Sequence, residues 1–291
     1  MKHTKFSSLL LAGLFVIISC TRKDSSPAQV EDLVKQAEKD AVFEAVLIKA
    51  DDQINKEISK LENLNYIIPS GKSGEVEPCN AKIIVETTVN SKFPKTITLD
   101  YGSGCTDPEG NFRAGKIIVH ISGPYWEKNT VRLSKLVDYR YNDLKIAGDR
   151  NETNKGVNDK GYTVFEVENS EKIWNSKEEL LVERNLDRLR TCNRGTNLTS
   201  IEDDEVWVSG TTKVNKNGKE SIQEITTTLY RKITCQHFQS GVISTFVNKE
   251  KIAEFNYGAG LCDDKATWSN GTITKEITLK SWVNFYAIKP Q

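Results

Sequence analysis

Tyr101-Gly102-Ser103-Gly104-Cys105 and Tyr257-Gly258-Ala259-Gly260-Leu261-Cys262 read as two copies of one strand ending. Upstream, Cys79 and Cys235 stand at the same offset from the two tyrosines. Downstream, Gly115 and Gly271, Ile117 and Ile273, Ile121 and Ile277, and Trp126 and Trp282 again keep register. The second cysteine slips by one position because Leu261 is inserted. A tryptophan matching at fixed offset, in a chain with 5 Trp, marks an internal duplication rather than a chance motif.

Around each copy, β-branched and aromatic residues alternate with polar ones between turn signals, the pattern of antiparallel strands. Ile83, Val85 and Thr87 share one face, a turn falls at Asn90-Ser91-Lys92, and Ile97, Leu99 and Tyr101 share the returning face. The second copy should turn beside Asn248-Lys249-Glu250. These turns lie midway between Cys79 and Cys105 and between Cys235 and Cys262, so each cysteine pair sits at the open end of a hairpin. The duplication therefore predicts two equivalent disulfides, Cys79–Cys105 and Cys235–Cys262. Each closes a loop of about 26 residues, worth about 3–4 kcal/mol by chain entropy. The glycines permit positive φ or a bulge after a strand. Strands are expected again at 116–121 and 272–279. No helix follows the glycines, so they do not form a phosphate-binding loop.

The middle of the chain holds a fainter echo. Gly148 and Gly156 match Gly210 and Gly218 in spacing, each pair bracketing a polar stretch, and predict a second duplicated strand pair. Residues 162–174 alternate as a strand. Residues 176–192 are ambiguous: Ser176 and Glu179 form a capping-box pattern, and Leu180, Glu183, Leu186 and Leu189 suit a helix. The surrounding strands favour a long strand. The expected body is mainly β, with antiparallel sheets or an open barrel or sandwich over 79–291 and duplicated halves near 79–160 and 205–291.

Before that body the chain is organised differently. Lys2 and Lys5 precede an apolar run, Leu9 to Ile18, and then Ser19-Cys20. This is the layout of a secretory signal over 1–19, and it is too short to span a bilayer. Residues 20–29 form a polar tether. Over 30–64, Val30, Leu33, Val34, Ala37, Ala41, Ala45, Ile48, Ile54, Ile58, Leu61 and Leu64 make one helical stripe. Asp51-Asp52 could divide that helix, and the stripe is expected to pack on the β body or against a partner. Residues 65–78 are a linker, with Pro69-Ser70-Gly71 at its centre.

Composition restricts function without naming it. Lys+Arg and Asp+Glu are both 40, and no basic run exists, so nucleic acid is an unexpected partner. His120 and His237 have no companions at metal-ligand spacing, which argues against a metal site. Ser103 is replaced by Ala259 in the second copy, which argues against a serine nucleophile. Asp107-Pro108-Glu109-Gly110-Asn111 reads as a turn rather than a calcium loop. Asp263 and Asp264 would point to opposite faces of a strand. Cys192 is the odd thiol, expected buried and inert. No catalytic residue or cofactor is expected. Trp268, set before Asn270-Gly271, is expected to be the exposed aromatic and a possible ligand- or glycan-stacking residue.

Two resemblances add an address. Ile17-Ile18-Ser19-Cys20 resembles the bacterial lipoprotein signal, which implies lipid on Cys20 and a membrane anchor. Phe93 to Gly102 with Cys105, Arg113 and Gly115-Lys116-Ile117, and later Cys235, Tyr257 to Gly260 and Cys262-Asp263, resemble uncharacterised envelope lipoproteins of Bacteroidetes from about residue 79 onward. That resemblance implies an outer-membrane address and no particular activity. Thr21 is compatible with outer-membrane sorting, whereas Thr21-Arg22-Lys23-Asp24 departs from the acidic run of surface-exposed members and leaves both leaflets open. The expected roles are a structural or ligand-binding envelope protein, a lipid or lipoprotein carrier with an apolar groove, or an enzyme whose carboxylates converge only in the fold.

Overall fold

The computed structural model describes residues 26–63, 79, 81–87, 92–107, 110–196 and 201–279. Cys20, the signal, the tether as far as residue 25, the linker and Trp282 lie outside the described residues, whereas residues 27–29, expected as tether, belong to the helix.

The first element is one helix, α1 (Pro27–Asn63). It begins on a capping box: the Gln29 backbone N–H donates to Ser26 Oγ at 3.3 Å, and Gln29 Oε1 accepts from the Ser26 N–H at 2.8 Å. Pro27 fits the first helical position, where its missing N–H is not needed. The helix therefore starts three residues before the expected boundary. It also runs unbroken through Asp51 and Asp52, whose carboxylates are taken up by arginines and do not compete for the backbone.

Among the described residues fourteen strands follow: β1 (Lys82–Thr87), β2 (Lys95–Asp100), β3 (Cys105–Thr106), β4 (Phe112–Ile121), β5 (Val131–Tyr141), β6 (Leu144–Val157), β7 (Thr163–Trp174), β8 (Leu180–Asn193), β9 (Glu205–Lys216), β10 (Lys219–Lys232), β11 (Ser240–Val247), β12 (Glu250–Ala259), β13 (Lys265–Ser269) and β14 (Thr274–Thr278). All pairings are antiparallel, and apart from β3, a short flap on β4, the strands pair in chain order. Among the described residues β1 and β14 are not joined, so the sheet stays open. Residues 180–193 are strand: the capping-box residues precede it, and the apparent helical leucines Leu180 and Leu189 face solvent at 43% and 47% exposed. Tight turns make the meander, notably Asn217-Gly218 between β9 and β10 and Asn248-Lys249 between β11 and β12, all with positive φ.

The sheet wraps around the helix. Ala41, Val42, Phe43 and Glu44 are consecutive and all buried. At 3.6 residues per turn those four point in all directions, so the middle of α1 is enclosed. Its side chains meet β5 through Arg132, and Ala41 and Val42 border the same small cavity as Ile277 of β14. Laid flat, the nine strand spacings from β5 to β14 would extend over roughly 40 Å, against a helix roughly 10–12 Å across. Only a curled sheet can touch the helix from both sides. Register shifts between β4 and β5, β5 and β6, and β9 and β10 supply bends for this. One apolar cluster runs through both ends of the sheet and the helix, so the two halves share a core.

The duplication holds for the hairpins and fails beyond them. Tyr101 and Tyr257 are both buried, and both predicted disulfides are present. Gly115, however, lies inside β4 at a bulge with φ +80, where a Cβ would meet the Asp138 carbonyl oxygen at 2.2 Å. Its counterpart Gly271 lies in the turn between β13 and β14. Ile121 thus pairs with β2, whereas its counterpart Ile277 pairs with β13 and not with β12. The fainter repeat also separates structurally: Gly156 lies within β6, but Gly218 is in a hairpin turn.

Candidate functional site: a charged seam between helix and sheet

Strand alternation sends one face of each strand toward α1. On β8 the inward positions are Val182, Arg184, Leu186, Arg188, Arg190 and Cys192, all six with less than a tenth of their surface exposed, charged and apolar side chains alike. β5 adds Arg132, β6 adds Arg150 and Glu152, β7 adds Glu171, and β10 adds Arg231. Guanidinium groups are thereby threaded through an otherwise apolar inner wall. The helix answers with Asp40, Glu44, Asp51, Asp52 and Asn55, whose spacing turns them toward the wall.

The pairings are specific. Arg188 Nη1 donates to Glu44 Oε1 at 2.5 Å, and Arg184 Nη2 donates to Glu44 Oε2 at 2.6 Å. Arg188 Nη2 also donates to Thr212 Oγ1 at 2.9 Å. Arg132 Nη2 reaches Asp51 Oδ1 at 2.8 Å and its Nη1 reaches Asn55 Oδ1 at 2.6 Å. Arg150 joins Asp51 at 3.0 Å. Arg231 grips both oxygens of Asp52, at 2.7 and 3.0 Å, while its other nitrogen donates to the Ile233 and Cys235 carbonyls. Farther along, Lys216 and Gln223 hold Asp40. Behind these contacts Glu152, 1% exposed, accepts from Arg132, Arg190 and Tyr125.

These environments set protonation. Burial alone would raise the Glu44 carboxyl, but Arg188 and Arg184 outweigh it and hold it down at about 2. Glu152 behaves likewise, burial being overcome by Arg132 and Arg190, and lies well below the ordinary carboxylate range. Asp52 is raised, because burial exceeds the effect of Arg231. Burial lowers Lys216. His237, buried beside Lys49 of α1, is lowered to about 4 by burial first and the lysine second.

The seam is not closely packed. A cavity of about 70 Å³ lies between α1 and β6–β10, with Glu44, Asp52, Arg184, Arg188 and Arg231 on its walls. Two more, each about 40 Å³, flank it beside Ala50 and Asp51 and beside Asp40 and Ala41. Arg184 Nη1, Arg188 Nε, Arg190 Nε, Asn169 Oδ1 and Glu171 Oε2 are buried without a hydrogen-bond partner among the described residues. Interiors normally leave few such atoms and few voids.

The seam does not assemble acid/base chemistry. Glu44 and Asp52 are shifted in opposite directions, but eight residues of helix separate them by roughly 12 Å. Each is already engaged by guanidinium groups. No group of three or more His, Cys, Asp or Glu is placed to hold a metal ion among the described residues.

The residues singled out from sequence fall elsewhere. Trp268 is 2% exposed, packed in the core with Ile277, and is not a surface stacking residue. It faces inward because it lies in β13, whose alternation puts Ala266 and Trp268 on the buried side. The half-exposed aromatic row is instead Tyr162, Trp207 and Tyr230 on the outer face. Tyr162 and Trp207 stack nearly parallel and offset, with ring centroids 5.3 Å apart and planes at 7°. Cys192 is buried near Asp204, and burial pushes its thiol up to about 12, the inert state expected. Asp107 organises its own turn, accepting from the Asn111 N–H at 2.7 Å and pairing with Arg113. His120 is exposed beside Thr96.

Sequence reading missed the seam, although a signal existed. Once 180–193 is strand, its alternation puts Arg184, Arg188 and Arg190 on the face of Val182, Leu186 and Cys192. Three inward arginines demand carboxylates, and the expected helix carried them.

Fold and seam together define a class of protein: an open antiparallel sheet curled around an internal, charge-paired helix. No family model, curated protein or solved structure matches the chain, so its function is argued from this geometry.

Proposed function

We propose that the chain is a non-enzymatic, ligand-carrying protein of the bacterial envelope, held on a membrane by lipid at Cys20, in which α1 occupies the ligand's place. The observation that carries this reading is the enclosure of α1 inside an open sheet, with cavities along their contact. α1 gives Val42, Phe43, Val46, Ile54 and Ile58 to the shared apolar cluster, but Glu44, Asp51 and Asp52 meet the wall through ion pairs. Buried ion pairs give little net stability, because desolvation offsets their attraction. The charged part of the contact is therefore a poor permanent seal. The groove is mixed rather than apolar, which modifies the lipid-carrier expectation without removing it.

The address rests on the signal-like start and Cys20. Replacing Cys20 with Ala should move the protein from the membrane to the soluble fraction; continued retention would remove the anchor. Hydrogen exchange tests the stopper. Amides of α1 over 41–55 should exchange through a smaller opening free energy than those of β7 and β8. Equal protection of helix and sheet would make α1 a permanent core element and end the carrier reading.

A further inference from the structure

Taken without α1, the inner wall is strongly cationic. Arg132, Arg150, Arg184, Arg188, Arg190 and Arg231 face only Glu152 and Glu171 from the sheet itself. The neutralising charge comes from Glu44, Asp51 and Asp52 on the helix. If α1 left without replacement, several guanidiniums would remain in a partly apolar chamber, a costly state. Whatever displaces the helix must therefore bring anionic oxygens of its own.

We propose that this wall is an anion-binding site, in which Arg184 and Arg188 receive the phosphate or carboxylate group of an amphiphilic ligand where α1 now places Glu44. This deepens the carrier reading and rests on it. Arginine forks suit both groups, since each offers paired oxygens to parallel N–H donors. The cavity of about 70 Å³ already opens onto these residues. Arg188 Nε is buried there with no hydrogen-bond acceptor, and Arg184 Nη1 has only Glu171 Oε2 at 3.7 Å, so the site has donor capacity that Glu44 does not use. The same cavity is walled by Val167, Leu186, Val206, Val208 and Phe238. Charge and apolar surface alternate along one wall, which is the requirement for a ligand with an anionic head and a hydrocarbon body. A free inorganic anion would use the first feature and waste the second.

The test uses the full chain with a nitroxide on Lys56→Cys, an exposed position of α1, while the native disulfides and buried Cys192 stay as they are. Dihexanoyl phosphatidic acid, dihexanoylglycerol and inorganic phosphate are titrated separately, reading label mobility and bound ligand. Phosphatidic acid should mobilise the label, with dihexanoylglycerol, which lacks the phosphate, weaker by about 10-fold or more, as expected for lost charge-assisted hydrogen bonds. Arg188→Gln should weaken phosphatidic acid binding by about 10-fold, and Glu44→Gln should strengthen it by removing the competing carboxylate. Equal responses to the two lipids would overturn the anion site while leaving the carrier reading. A full response to inorganic phosphate alone would overturn the amphiphile. No response to any probe would overturn both. The unmodified lipid comparison needs no arginine variant, so loss of fold in Arg188→Gln does not decide it.

Discussion

Arg188 and Glu44, 144 residues apart in the chain, meet through two hydrogen bonds, Nη1 to Oε1 at 2.5 Å and Nη2 to Oε2 at 3.2 Å. The contact ties the middle of α1 to the middle of the sheet, and Arg184 completes it from the same strand. Removing the carboxylate leaves Arg188 without an acidic partner and Arg184 with only Glu171 at 3.7 Å. Glu44→Ala should cost about 3–5 kcal/mol in urea unfolding. Replacing Glu44, Arg184 and Arg188 together with Leu or Met should be near neutral or stabilising, since the desolvation of all three disappears. A triple variant as unstable as Glu44→Ala would show that the ion pairs themselves supply net stability. The triple variant should also lose the anion response, which separates stability from binding.

Acid should loosen the protein in two stages. His237 has a folded value of about 4 against 6.5 unfolded, so the unfolded chain takes up its proton first as pH falls. Its contribution, about 3 kcal/mol, is present above 6.5 and is lost between 6.5 and 4. Glu44 follows the carboxylate pattern, with a folded value of about 2 against 4.5. Its stabilisation is full above 4.5 and is lost from there toward 2. Asp52 is raised and opposes this, losing rather than gaining stability as it ionises near its unfolded range. Denaturation midpoints measured from pH 7.5 to 3 should fall below 6.5, and His237→Gln should flatten the upper limb only. An unchanged upper limb would place the first acid response elsewhere.

Much of this fold was legible. The two cysteine hairpins, the long helix and the choice of strand at 180–193 follow from turn residues, register and alternation, all of which are local in sequence. What stayed hidden is nonlocal. Gly115 and Gly271 have matching neighbours, yet one bulges and the other turns, because Asp138 on β5 crowds the first and has no counterpart for the second. Asp51 and Asp52 look like helix breakers until Arg132, Arg150 and Arg231 arrive from distant strands. Trp268 looked exposed because polar residues flank it, but in a strand such neighbours point the other way.

Trp268 and Trp207 make that last difference measurable. Trp268→Ala should destabilise by about 3–5 kcal/mol, because a large buried ring is removed and the site collapses only in part. Trp207→Ala, on the half-exposed outer row, should cost less than the loss of Trp268 while breaking its stacking with Tyr162 and Tyr230. Emission spectra of the single variants should show the blue-shifted component leaving with Trp268. If Trp207→Ala proved the more destabilising, the inward assignment of Trp268 would be wrong.

The cysteines give the last prediction, and they test the hairpins apart from the seam. Cys79–Cys105 and Cys235–Cys262 close segments separated by 26 and 27 residues. Each joins the lead-in of a hairpin to the strand end beyond its buried tyrosine, so each limits the unfolded chain; of the arginines that hold α1, Arg231 also donates to the Cys235 carbonyl. Losing either should lower stability by about 3–4 kcal/mol. Cys192, buried on β8 and pushed up to about 12, should stay unreactive toward maleimide until the sheet opens. Non-reducing peptide mapping of the native protein should return the two within-hairpin pairs and one unmodified thiol. Crossed pairing, or native labelling of Cys192, would contradict the arrangement in which both hairpins are stapled and β8 keeps its inward face covered by α1.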